Sequence, residues 1–220
     1  MAGDGGTEPR SRAWREVWDH RDPDKLGCDG YESHGDLATL RPAQVAFITE
    51  TLELRGDDHL LDLGCGTGAL TAALAPHVGR VTAVDYSSDA TAAARLRLAP
   101  FGERVEVVHH DVQSFDLSSV GFTKALAVGS LHYLDGEDVL LRIISEATAH
   151  GAPMLVMDLP DAAFAAEVRR DYDQTRWSHL SVDPERLQSQ FPGSTVHRGM
   201  FPFYDNDAVR FSLLVPGRAG

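Results

Sequence analysis

Three aspartates and a run of glycines stand at spacings suited to holding a nucleotide. Residues 60–70 read LLDLGCGTGAL, in which Gly64, Gly66 and Gly68 alternate and Asp62 lies two positions ahead of the first glycine. A glycine-rich turn between a strand and a helix lets backbone N–H groups approach a ligand at the positive end of the helix. Asp85, in VTAVDYS and 21 positions after Gly64, is placed to hold ribose hydroxyls. Asp111, in VVHHDV, is placed to accept a hydrogen bond from an exocyclic adenine amine. Counting Ala69 as a third small residue, the loop also fits GxGxxA, the form that holds a pyrophosphate in nicotinamide-dependent dehydrogenases.

Asp62 separates the two readings. A carboxylate there opposes a pyrophosphate but attracts a ligand with an ammonium group. S-adenosylmethionine combines a positively charged methionyl end with an adenine for Asp111 to read, and it is the cofactor expected.

These residues need a scaffold, and the chain carries one. Apolar runs at 59–63, 81–85, 105–110, 124–129 and 153–158 alternate with segments able to form helices, except that QSFDLSSVGF after the third run is loop-like. Strands buried on both faces and separated by helices imply an open parallel sheet of the doubly wound kind. Ser87 or Ser88 can cap a helix through 89–99, and Val139, Leu140, Ile143, Ile144 and Ala147 give another its buried stripe before His150 and Gly151 end it. Upstream, Trp14 and Trp18 share a face of a short helix. Pro42 suits a first helical turn, with Val45, Ile48 and Leu52 following at helical spacing up to Gly56. After Pro160 come a polar, aromatic helix over 161–175, a capped start at Asp183-Pro184 and two extended segments, 194–204 and 208–215. The last two are expected as an antiparallel pair at the sheet edge.

The series LLDLGCGTG, VTAVDYS, VVHHDV and AVGSLHYLD, in that order over roughly residues 40–160, resembles the class I S-adenosylmethionine-dependent methyltransferases. The resemblance implies a Rossmann-like, doubly wound, mostly parallel seven-stranded α/β sheet with an antiparallel C-terminal strand. It also implies roles: Gly64, Gly66 and Gly68 along the methionyl part with Asp62 nearby, Asp85 on the ribose, and Tyr86 packed on the adenine. Asp111 would take the adenine amine, the Val112 N–H a ring nitrogen, and the Gly129 backbone the methionyl ammonium.

A phenol or alcohol acceptor needs a base, whereas an amine has only to arrive deprotonated. His132 in GSLHYLD, just beyond the fourth strand, is the leading candidate for that base, with His34 in GYESHGD second. His109 and His110 belong to the third strand and its end. Tyr31, Tyr172, Trp177 and His179 are candidates to contact the acceptor, and aromatic rings there suit a flat or hydrophobic one. Asp158 could help to hold a metal, as in catechol-type relatives, but no second and third ligand stand at convincing positions, so no metal is expected.

Composition narrows the rest. A net charge of −13 and the lack of a basic stripe argue against nucleic acid. The NPPY-like motif of amino-methylating DNA enzymes and the paired-glutamate loop of protein arginine enzymes are both missing, which leaves a small-molecule acceptor. There is no long apolar run, no signal-peptide core and no framework of cysteines, so a cytoplasmic protein without membrane attachment is expected, as a monomer or homodimer. Residues 1–10 read as a disordered tail and 11–220 as one domain, with cover segments at 11–41 and 160–192. An arginine-rich, alanine-rich chain of this size resembles tailoring enzymes of bacterial secondary metabolism. The alternatives are a protein of this fold doing non-methylating chemistry, such as a cyclase, or regulation, and more distantly a dehydrogenase.

Overall fold

The computed structural model describes residues 9–19, 37–165, 179–201 and 207–218. Seven strands form one sheet: β1 (His59–Leu63), β2 (Arg80–Asp85), β3 (Val105–His109), β4 (Lys124–Val128), β5 (Met154–Pro160), β6 (Thr195–His197) and β7 (Arg210–Val215). Their spatial order is β3-β2-β1-β4-β5-β7-β6, and only β7 runs against the rest. The sheet reverses its winding between β1 and β4, because β2 and β3 build out on one side while β5 to β7 build out on the other. In open sheets of this kind the carboxyl ends of the strands at such a reversal leave a crevice.

Alternation along the strands divides the interior into two cores. Leu61, Leu63, Ala125, Ala127 and Val156 face helix α5 (Glu137–Ala149) and helix α6 (Pro184–Gln190). Leu60, Ala83, Leu126, Leu155 and Met157 face helix α2 (Leu37–Thr51) and helix α3 (Ala69–Leu74). Successive side chains point to opposite faces, so a strand buried on both sides reads as a continuous apolar run. Helix α4 (Ser88–Leu98) packs beside α3 over β2 and β3, with Ser87 as its cap accepting from the Ala90 N–H. Asp183 caps α6 with Pro184 at its first position, and His150 followed by Gly151 closes α5, both as expected.

Several expectations are corrected. Helix α2 begins at Leu37, so Pro42 lies in its interior, and the helix ends at Thr51 ahead of a turn at Glu53 (φ 49°) instead of running to Gly56. Its buried stripe is Leu40, Gln44, Ile48 and Leu52, with Val45 only partly covered. Helix α1 (Arg10–Asp19) starts one residue inside the expected tail, because the Arg10 guanidinium donates to the Leu134 carbonyl at 2.8 Å. Asp158 does not end β5: the strand continues to Pro160 past an irregularity at which Asp158 is left-handed (φ 65°). After β5 the chain forms a short 3-10 turn, Ala162–Phe164, capped by Asp161; the remainder of the expected 161–175 helix lies outside the described residues. So do residues 1–8, most of the 11–41 cover, and Tyr31, His34, Tyr172 and Trp177. Among the described residues no helix is long and apolar enough to cross a membrane.

Candidate functional site

A cavity opens at the carboxyl ends of β1, β2, β3 and β4. Its floor is the glycine loop. Gly64 is left-handed (φ 79°), and a Cβ there would stand 2.2 Å from the Ser130 Cβ, so only glycine lets β1 and the segment after β4 approach each other. Ser130 Oγ donates to the Leu63 carbonyl at 2.7 Å across that contact. The Gly64 and Cys65 N–H groups donate to the Val84 carbonyl, hooking the loop onto β2.

Asp85 lines the cavity and holds the loop. Its two carboxylate oxygens accept from the Gly66 N–H and the Ser87 N–H, each at 2.9 Å. Tyr86, Asp111, Val112, Gln113 and Gly129 complete walls drawn from four strand ends. Helix α1 forms the roof through Ser11, Arg15 and Trp18. Arg15 donates to Asp111 at 2.7 Å and lies 5.1 Å from the Tyr86 ring centre, while the Tyr86 hydroxyl donates to the Trp14 carbonyl. Burial beside Asp85 pushes the Tyr86 phenol well above its usual range, so it stays protonated. Gly64, Gly66, Asp85, Tyr86, Asp111, Val112 and Gly129 are thus brought to one cavity.

Two expected neighbours are not on that surface. Asp62 is 3% exposed beneath the loop, where it accepts from the Thr71 hydroxyl at 2.7 Å and ties β1 to α3. Gly68 lies behind the loop at the head of α3, against Leu98.

His132 also departs from expectation. It is 2% exposed and lines no described cavity; its ring packs on Tyr133 and His179. Burial, reinforced by the positive charge of Arg210 and by competition with the neighbouring His179 for a proton, holds it well below the usual imidazole range, while a hydrogen bond to the Asp158 carbonyl partly offsets this. His132 is thus held neutral in the fold, and its own carbonyl accepts from the Leu180 N–H at 2.8 Å. His179 stacks on Trp14, with ring centres 4.8 Å apart. Burial together with Arg210 and Arg10 lowers its pKa to about 3.

A second, smaller hollow shares Val128 with the first and lies against β4, β5 and β7. Its polar lining is Gln44, Asp158, Asp207 and Arg210, and its apolar lining includes Met157, Met200, Phe201 and Phe211. Sequence reasoning passed over Gln44, Asp207 and Arg210. Gln44 carries a usable signal, since it interrupts the i, i+4 stripe Leu40, Ile48 and Leu52, where a buried polar group needs a reason. Among the described residues no three His, Cys, Asp or Glu side chains gather in a way that could hold a metal ion.

Comparison with known proteins supplies a frame for this geometry. Residues 60–153 match the family described as "Methyltransferase domain". The chain is 28% identical to the sterol 4-C-methyltransferase of Caenorhabditis elegans over 137 residues, covering 61% of this chain and 39% of that protein. It is 29% identical to the ribosomal RNA small subunit methyltransferase A of Xylella fastidiosa over 103 residues, covering 46% and 38%. The chain thus spans about two fifths of the length of these curated relatives. The crystal structure of geranyl diphosphate C-methyltransferase from Streptomyces coelicolor, in complex with Mg2+, geranyl diphosphate and S-adenosyl-L-homocysteine, superposes with a TM-score of 0.67 at 16% identity. The match covers 97% of this chain and 99% of that one.

Proposed function

We propose that this chain, whose residues 60–153 form a methyltransferase domain on the class I S-adenosylmethionine-dependent fold, binds S-adenosylmethionine in the larger cavity and methylates a small-molecule acceptor. The observation that carries this reading is the convergence of Gly64, Gly66, Asp85, Asp111, Val112 and Gly129 from four strand ends onto one cavity. Bound there, the cofactor supplies an electrophilic methyl group on a positively charged sulfur.

The chain's own groups define the rest. Asp85, fixed by the Gly66 and Ser87 N–H groups, presents a carboxylate edge to ribose hydroxyls. Tyr86 offers an aromatic face, and the Asp111 carboxylate and Val112 backbone stand at the adenine end. Asp62 acts at one remove, by holding the loop against α3 through Thr71. Ser11, Arg15 and Trp18 of α1 cover the cavity. The strongly acidic chain and the compact, largely apolar second hollow favour a small molecule over the RNA that one relative's name brings to mind. A place in bacterial secondary metabolism is consistent with this reading.

Parallel calorimetric titrations with S-adenosylmethionine, S-adenosylhomocysteine and NAD test it. Binding of the first two without NAD is expected, and Asp85→Ala should weaken both by about a hundredfold, the loss of two good hydrogen bonds to a charged group. NAD binding alone, or an Asp85→Ala protein that binds like the parent, would overturn the assignment. Cofactor binding with no transfer to any small molecule or RNA would favour a non-methylating role.

A further inference from the structure

The second hollow has polar chemistry that cofactor binding leaves unused. Arg210 and Asp158 pair at 3.1 Å with only 10% and 14% of their side chains exposed, and Arg210 also donates to the Asp158 carbonyl at 2.9 Å. This clasp holds Asp158 in its left-handed conformation and cancels most of the guanidinium charge. Gln44 Oε1 accepts from Arg41, so its amide N–H group is what it can offer the hollow. Asp207 is the remaining charged lining group, 7% exposed, with Phe201 and Met200 N–H groups donating to it.

That inventory discriminates among acceptors. An anion finds its one cation already neutralised and a carboxylate opposing it. An amine beside Asp207 is held as ammonium, without the lone pair that attack requires. A hydroxyl can donate to Asp207 and receive from Gln44, while its apolar body packs on Met157, Met200, Phe201 and Phe211.

Resting on the methyl-transfer reading, we propose that this hollow is the acceptor site, that it takes an uncharged hydroxyl compound of phenol type, and that Asp207 is the base that receives the hydroxyl proton. The two cavities meet at Val128, next to Gly129 of the cofactor wall, so donor and acceptor face each other across the end of β4. In the step, the proton passes to an Asp207 oxygen and the acceptor oxygen bonds to the methyl carbon. The sulfur–methyl bond breaks with its electron pair kept on sulfur, leaving a neutral thioether. Burial pushes the Asp207 carboxyl above its usual range, against the two backbone donors, which makes it a stronger base than an exposed aspartate.

Methionine methyl NMR reads the hollow directly, since the chain has four methionines. Met157 and Met200 line it, whereas Met154, buried at the start of the same strand, is an internal control. Phenol titrated into the protein saturated with S-adenosylhomocysteine should move the Met157 and Met200 signals and leave Met154 in place. Asp207→Asn keeps an oxygen for the two backbone donors; it should bind S-adenosylhomocysteine within about twofold of the parent and lose roughly a hundredfold or more in labelled methyl transfer to phenol and 1-naphthol. Gln44→Met, of similar shape, should raise KM for the acceptor about tenfold with kcat little changed. Unmoved Met157 and Met200 signals, methyl transfer to benzylamine in preference to phenol, absence of transfer to both hydroxyl compounds, or full activity of Asp207→Asn would each overturn the proposal. Failure to bind S-adenosylhomocysteine at all would instead sink the methyl-transfer reading, a result separable from the phenol titration.

Discussion

The two cavities are built from different material. The larger one is made by backbone at the ends of four neighbouring strands, with glycines at the points of closest approach and carboxylates fixed by main-chain N–H groups. The smaller one is made by side chains that meet only in three dimensions: Gln44 from α2, Met157 and Asp158 from β5, Met200 and Phe201 beyond β6, and Asp207 and Arg210 around the start of β7. A backbone site tolerates little change in chain geometry and leaves a contiguous sequence pattern. A side-chain site can be rebuilt by substitution and leaves none. This contrast accounts for one fold serving many acceptors while keeping one cofactor.

Substitutions can break the contrast or sharpen it. The largest effect is expected from Gly64→Ala, which places a Cβ 2.2 Å from the Ser130 Cβ in a left-handed residue. It should cost at least about 3 kcal/mol of stability from strain and overpacking combined, read by urea unfolding. A loss below about 1 kcal/mol would mean that the loop is not the rigid floor described.

The aromatic seam between α1 and the segment after β5 should respond to pH. His179 has a pKa of about 3 when folded against 6.5 for an ordinary imidazole, so the folded state favours neutral imidazole. Its contribution is complete above pH 6.5 and is lost as pH falls from there towards 3, because the unfolded chain takes up the proton first. At pH 5 that loss is about 2 kcal/mol, or roughly 4–8 °C in Tm for a chain of this size. The neighbouring groups Arg210, Arg10, Trp14, Tyr133 and His132 stay in place in His179→Phe, which should therefore lose less Tm than the parent between pH 7.5 and 5. Equal losses would show that His179 is not the responsive group.

The smallest effect is expected from Arg15→Ala. Its pairing with Asp111 is partly exposed, with 44% and 27% of the side chains open, so removing it should weaken S-adenosylhomocysteine binding by no more than about fivefold, equivalent to about 1 kcal/mol. A hundredfold loss would promote α1 from roof to binding wall.

The same contrast explains what the sequence disclosed. Strand limits were legible to within two residues from β1 to β5, because β1, β2, β4 and β5 are covered on both faces and read as apolar runs while the valines of the edge strand β3 still mark it, and Ser87 and Asp183 announced their helices as caps. Gly64, Asp85 and Asp111 were legible because the loop and the strand ends keep fixed spacings. The orientation of His132 was not legible, because a position after β4 says where the backbone goes and not which way a ring turns; the ring turns into the cluster with His179 and Tyr133. Asp62 similarly turned inward to Thr71. Gln44, Asp207 and Arg210 carry no shared spacing, and only the placement of β7 beside β5 joins them.

That placement has a consequence for the order in which the molecule is made. β7 pairs with β5 on one side and β6 on the other, so a strand late in the chain fills an interior slot. On the ribosome, β1 to β5 and the walls of the larger cavity emerge before Arg210–Val215 exist. Until those residues follow, β5 presents an unpaired apolar edge, Leu155 and Val156 included, of the kind that recruits other chains. The walls of the larger cavity are therefore assembled first, and β7 both seals that edge and delivers Arg210 to the smaller hollow.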